Sequence, residues 1–214
     1  MLDQIGGAGP RAGGGARSAG AGRTATRGVR HADAVAHDGP HQDDAPIGRL
    51  VVMGVSGAGK TTVGEALAAA AHVPFVDGDD LHPEANVRKM ASGTPLTDAD
   101  RAPWLARVGE VLSSASGIVV TCSALRRVYR DAIRRTAPDA VFVQLDVDPG
   151  ELDARMRARR HHYMPASLLP SQLATLEPLG ADEPGVVVDA SGPPADVVAR
   201  VRAALSAARA AGSP

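Results

Sequence analysis

The sequence predicts an α/β fold, a five-stranded parallel sheet with helices on both faces. Three observations lead there. Five short runs are continuously apolar and rich in β-branched residues, the pattern of strands buried on both faces. Segments of helical length separate them, as the crossovers of a parallel sheet require. The first run passes directly into a glycine-rich loop that opens a helical segment.

The elements follow in order. RLVVMG (49–54) leads through GVSGAGKT (54–61) into an Ala-rich helical segment, 60–71. VPFVD (73–77) is the second run, GIVVTC (117–122) the third, AVFVQLD (140–146) the fourth and GVVVD (185–189) the fifth. Helical segments are predicted over 98–113, 125–136 and 150–160. In the last, PADVVARVRAALSAARAAG, Val197, Val201, Leu205 and Ala208 recur at helical spacing. Right-handed crossovers then put ligands at the carboxyl ends of the strands.

At 214 residues the chain has room for one good domain and a tail. Residues 1–46 are expected to be a disordered Gly/Ala/Arg-rich tail, because a segment without apolar periodicity cannot offset its ordering entropy. His31, His37 and His41 within it match no metal-ligand spacing. The folded domain is expected over 47–212. A net charge of −1 gives no electrostatic reason to expect nucleic acid or an anionic membrane as partner. No window reaches the roughly eighteen apolar residues of a membrane span. One cysteine, Cys122, excludes an internal disulfide framework and fits a reducing, cytoplasmic setting. Only two of the 23 basic residues are lysines, Lys60 and Lys89, so each is expected to be needed as lysine.

GVSGAGKT matches G-x-x-x-x-G-K-[ST] in full, in a strand–loop–helix context. Its glycines let successive backbone N–H groups converge on one anion, and the helix adds its positive end. The expected cradle comprises Gly54, Val55, Ser56, Gly57, Ala58, Gly59, Lys60, Thr61 and Thr62. Lys60 is positioned for the terminal phosphates of a nucleotide, and the Thr61 hydroxyl for Mg²⁺.

The second run ends in FVDGDDLH. Asp77 and Asp79 are two apart and would project to one side of an extended chain. Asp77 is assigned to the metal, through water, and Asp79 to the acceptor hydroxyl as its proton acceptor. With no third lysine the chain lacks the N-K-x-D-type motif of a GTPase, and IVVTCSALRR carries no acidic residue of the Walker-B kind. A small-molecule kinase remains.

Four longer phrases, MGVSGAGKTT, DGDDLHPEANVRKMASGTPLTDADRAPWL, CSALRRVYRD and RMRARRHHYMPASLLPSQLATLEP, resemble the gluconokinases of the P-loop kinase type, relatives of shikimate kinase. The resemblance runs from about Arg49 to the C-terminal helix. It implies the P-loop kinase fold with a mobile helical lid over about 150–178, MgATP-dependent phosphorylation of D-gluconate at its 6-hydroxyl, and homodimeric assembly. His82, Asn86 and Lys89, four and three apart, are expected on one helical face toward the acceptor. Arg126 is expected to clamp the substrate carboxylate, with Ser123 as a further donor. Arg101 and Trp104 belong to the shared phrase without a chemical role, and Trp104 reads as core.

The lid carries an R-x-x-x-R pair. The resemblance places Arg155 against adenine and Arg159 on the phosphates, where an arginine arriving on closure favours the transition state. Arg157 reads as solvated. His161 and Tyr163 depart from the Gly and Phe of the family, while His162 keeps its histidine. Two other readings stay open: a kinase for another hydroxylated acceptor such as shikimate, and a nucleotide-binding module without turnover.

Overall fold

β1 (Arg49–Met53) lies at the centre of the sheet and is buried from Leu50 onward. The structure, a computed structural model, describes residues 46–158 and 169–212. The tail expected over 1–46 therefore falls, but for Pro46, outside the described residues.

Around β1 the strands β2 (Phe75–Asp77), β3 (Ile118–Thr121), β4 (Val141–Asp146) and β5 (Gly185–Asp189) run in the order β2-β3-β1-β4-β5. Every pairing is parallel, with Val51 opposite both Val120 and Phe142. The five apolar runs thus form one sheet as expected. The helices are α1 (Lys60–Ala70), α2 (Glu84–Ala91), α3 (Asp98–Ser113), α4 (Arg127–Arg134), α5 (Pro149–Ala158), α6 (Leu169–Thr175) and α7 (Pro194–Ala210).

The alternation of side chains along β1 builds two cores. Leu50 and Val52 pack with Val63 and Leu67 of α1 and with Val197, Val201 and Leu205 of α7. Val51 and Met53 face the other way, onto Trp104, Val108 and Leu112 of α3 and Ile133 of α4. Each such side chain contributes roughly 1.5–3 kcal/mol by leaving water.

Local chemistry sets the element ends. Gly59 caps α1 at φ 94°, a left-handed conformation that turns the loop into the helix. Thr97 opens α3 with a capping box: its hydroxyl accepts from the Asp100 N–H, and the Asp100 carboxylate accepts from the Thr97 N–H at 2.8 Å. Between β2 and α2 the chain coils into a 3-10 turn, Gly78–Leu81, and does not continue as strand. A Cβ on Gly78 would lie 2.0 Å from the Thr121 carbonyl oxygen, so only glycine fits where this turn crosses β3.

One buried ion pair braces the far side. Arg130 on α4 grips Glu183 at 2.5 and 2.7 Å, and its remaining N–H groups reach the carbonyls of Ala124 and Glu177. Among the described residues no buried side-chain nitrogen or oxygen lacks a partner. No helix among them is long and apolar enough to cross a membrane.

Candidate active site

A cavity of about 330 Å³ opens at the carboxyl end of the sheet, a volume suited to a small ligand. Its wall brings together residues far apart in sequence. Ser56 and Lys60 come from the phosphate loop, Asp79 and His82 from the turn after β2, Ser123 and Arg126 from the segment after β3. Six of the predicted site residues thus meet in one place. Asp98, Arg101, Trp104 and Tyr129, together with Gln172 of α6, are among the other lining residues.

The loop 54–61 wraps as expected for an anion cradle, with positive φ at Gly54, Gly57 and Gly59. Lys60 Nζ donates to the Val55 carbonyl at 3.2 Å, which folds the amine back over the loop. Thr61 and Thr62 are exposed at the start of α1. The Thr61 hydroxyl donates to Asp77 Oδ2 at 3.0 Å.

Asp77 and Asp79 require a correction. They do not alternate along a strand, because β2 ends at Asp77 and the 3-10 turn takes over. Asp77 caps that turn by accepting from the Asp79 N–H at 3.1 Å, and it also accepts from Thr121. Its second oxygen reaches Thr61, while Asp79 lines the cavity. The two carboxylates end up in different settings through a turn, not through strand periodicity.

The shared helical face of His82, Asn86 and Lys89 is corrected as well. Pro83 caps α2, which starts at Glu84, so His82 lies outside the helix. Asn86 is buried and donates to the Asp100 carbonyl at 2.7 Å, and its amide is 3.4 Å from His82 Nδ1. Lys89 holds both oxygens of Asp100 at 2.7 and 2.8 Å. Asp100 in the first turn of α3 thus engages both side chains, Lys89 through its carboxylate and Asn86 through its backbone carbonyl, and neither lines the cavity. Lys89 and the Thr97 N–H and hydroxyl together keep the Asp100 carboxyl far below the usual range.

His82 does face the cavity. It stacks on Trp104 with ring centroids 4.0 Å apart, and Trp104 donates its indole N–H to the Gly78 carbonyl at 2.7 Å. Burial, and secondarily the Arg101 guanidinium, lower the imidazole from 6.5 to about 4, so it stays neutral near pH 7. Trp104 is core, as read, yet it also positions the turn carrying Asp79.

Beyond β3, Ala124 adopts φ 42°, which is costly without glycine, and Arg130 holds its carbonyl at 3.2 Å. Arg126 follows, donating to Asp98 Oδ2 at 2.9 Å and Glu177 Oε1 at 3.4 Å. Arg155 on α5 reaches from the Ala58 carbonyl (3.5 Å) to the Ala190 carbonyl (2.8 Å) beyond β5. Arg157 is exposed and pairs with Asp153. Arg159, Arg160, His161, His162 and Tyr163 lie outside the described residues.

A family model described as "AAA domain" matches residues 50–179, the span that carries the cradle and most of the cavity. The chain is 54% identical over 153 residues to a gluconokinase of Gluconobacter oxydans (strain 621H), covering 70% of this chain and 85% of that one. It is also 43% identical over 166 residues to the thermosensitive gluconokinase of Escherichia coli (strain K12), covering 75% and 88%. The chain belongs to the gluconokinase family. The crystal structure of a gluconokinase from Sinorhizobium meliloti 1021 superposes with a TM-score of 0.70 at 50% identity, covering 75% of this chain and 93% of that chain.

Within this gluconokinase-family site, sequence reasoning missed Tyr129 and Gln172. Tyr129 sits three residues after Arg126, a helical neighbour spacing that was there to be read. Gln172 Oε1 accepts from the Ser56 N–H at 2.7 Å, across 116 residues, and nothing local in the sequence signals that contact.

Proposed function

We propose that this chain phosphorylates D-gluconate at its 6-hydroxyl with ATP, giving 6-phospho-D-gluconate and ADP. The observation that carries the reading is one cavity wall holding Lys60 of the phosphate loop, Asp79, and the Arg126 guanidinium. Those are a phosphate cation, a proton acceptor and a carboxylate clamp, which together suit a hydroxylated acid as acceptor. Family membership supports the same chemistry.

The loop amides and Lys60 hold the transferring phosphate oxygens, and Lys60 stabilises the charge that spreads over them. Asp79 accepts the proton of the attacking 6-hydroxyl as its oxygen bonds to the γ-phosphorus and the bond to the ADP oxygen breaks. Neutral His82 offers a ring nitrogen to a substrate hydroxyl. Arg126 binds the carboxylate, and Ser123 adds a donor. Arg155, already bridging Ala58 and Ala190, packs on the adenine side. Arg159, outside the described residues, keeps its proposed role toward the transferring phosphate.

Thr61 and Asp77 suit Mg²⁺: both offer hard oxygen atoms, and they already meet at 3.0 Å. Among the described residues no group of three or more His, Cys, Asp or Glu side chains gathers as a metal site. These two residues would hold the ion, which would supply neutralisation of the phosphate charge.

The test is an ADP-release assay with MgATP and D-gluconate, shikimate, D-glucose or AMP as acceptor. Saturable turnover on gluconate alone is expected, and Lys60→Ala lowers kcat by roughly 10²–10³. Turnover on a different acceptor, or wild-type rates in Lys60→Ala, overturns the reading.

A further inference from the structure

The cavity wall away from the phosphate loop contains a carboxylate site that is already filled by the chain's own Asp98. Asp98 Oδ1 accepts from the Tyr129 hydroxyl at 2.5 Å, and Asp98 Oδ2 accepts from Arg126 at 2.9 Å. Arg101 Nη1 stands 3.7 Å from the same carboxylate and donates to the Tyr129 hydroxyl at 3.3 Å. The two guanidinium groups lie 5.3 and 5.4 Å from the centre of the Tyr129 ring, within cation–π range. Asp98, Arg101, Arg126 and Tyr129 all line the cavity.

The arrangement follows from two helices. Asp98 and Arg101 are three apart on α3, Arg126 and Tyr129 three apart at the start of α4. α3 and α4 pack side by side on one face of the sheet, so the two pairs converge at its carboxyl end. The donors are anchored independently of Asp98. Arg101 also donates to the Leu96 carbonyl, Arg126 also pairs with Glu177, and Tyr129 is buried. Asp98 is the loose member. Its side chain is 63% exposed in the first turn of α3, where the helix dipole stabilises a carboxylate even when it is released to water.

We infer that Arg101, Arg126 and the Tyr129 hydroxyl are the seat of the acceptor's carboxylate, and that Asp98 occupies this seat until an anionic acceptor displaces it. The inference rests on the kinase reading above and adds Arg101, Tyr129 and Asp98 as specificity-determining residues. Exchanging one carboxylate for another preserves the charge-assisted hydrogen bonds and the net charge of the site. A neutral polyol or aldose offers no such exchange: Asp98 stays, and that end of the cavity stays closed to it. Selection for acids therefore comes from an internal competitor as well as from attraction.

The experiment compares D-gluconate with its neutral isostere D-gluconamide, using the full chain and MgATP. The wild type is expected to favour the acid strongly in kcat/KM. Arg101→Met and Tyr129→Phe are expected to raise the gluconate KM, Arg101→Met by about tenfold to a hundredfold, the size of lost hydrogen bonds to a charged group. Both narrow the acid-to-amide ratio and leave the KM for MgATP unchanged. Asp98→Asn, with its competitor removed, binds gluconate at least as tightly as the wild type. Arg101→Lys serves as a second variant should Arg101→Met fail to fold, and it too weakens gluconate because a point charge replaces the fork. Equal use of acid and amide by the wild type overturns the seat while leaving a kinase in place. So does an unchanged gluconate KM in both Arg101→Lys and Tyr129→Phe. A tenfold rise in gluconate KM in Asp98→Asn also overturns it, by making Asp98 a ligand of the substrate. A wild type that ignores gluconate but phosphorylates another acid overturns the gluconate assignment alone, and the seat is then judged on that acid and its amide.

Discussion

Trp104 donates its indole N–H to the Gly78 carbonyl across 2.7 Å, one residue before Asp79. A side chain of α3 thereby holds the turn that carries Asp79, the residue proposed above as proton acceptor. Trp104→Phe keeps an aromatic ring against His82 and removes the hydrogen bond. The expected result is a kcat lower by about tenfold with the MgATP KM unchanged, the size of one buried hydrogen bond. A kcat equal to wild type would separate Trp104 from the placement of Asp79.

The buried Arg130–Glu183 pair predicts an asymmetric response. Arg130→Met strands the Glu183 carboxylate in the interior and is expected to cost about 3–5 kcal/mol, read from the urea midpoint at constant slope. Arg130→Met combined with Glu183→Leu recovers much of that loss, since no charge is left unpaired. Additive losses in the double variant would contradict the pairing.

His82 makes stability depend on pH. Its folded-state value of about 4 lies below the ordinary 6.5, so the unfolded chain binds more protons between those values. Stability is fully present above about 6.5 and is lost as pH falls toward about 4. His82→Gln, which does not titrate, is expected to remove about 1–2 kcal/mol of that fall once partial exposure is allowed for. Urea unfolding at neutral and at mildly acidic pH checks it, and an equal fall in the variant counts against the assignment.

Cys122 is fully buried, and burial pushes its thiol up to about 12, with the nearby Asp79 and Asp77 carboxylates adding to the effect. The native protein is expected to resist iodoacetamide at pH 8, whereas the chain unfolded in guanidinium is alkylated quickly. Equal labelling rates in both states would place the thiol at the surface.

Much of this was legible because it depends on local pattern. Continuous apolar runs announce strands covered on both faces, and the five did form one parallel sheet. The phosphate loop is written in consecutive residues, so Gly54 to Thr62 needed no tertiary knowledge. What escaped was set by contacts between distant segments. Lys89 survives in an arginine-rich chain, yet its amine serves Asp100 at the start of α3. Only the side-chain contacts from α2 to the first turn of α3 reveal that. Asp77 and Asp79 were read with the two-residue period of a strand, and a 3-10 turn displaced that period. Arg101 carried no role in the sequence because the partner that brings it into the cluster, Tyr129, lies on another helix.

The opposed cores of the sheet have an evolutionary consequence. Side chains from α1, α5 and α7 pack on one face, together with the strand residues beneath the phosphate loop, and those of α3 and α4 pack on the other. On the proposed assignment of the acceptor seat to α3 and α4, substitutions among its cavity-lining side chains alter which molecule is received and leave the α1–α7 core untouched. Acceptor choice and phosphate-donor choice can therefore drift separately, and a laboratory library confined to the α3–α4 face would search new acceptors while keeping the donor half intact.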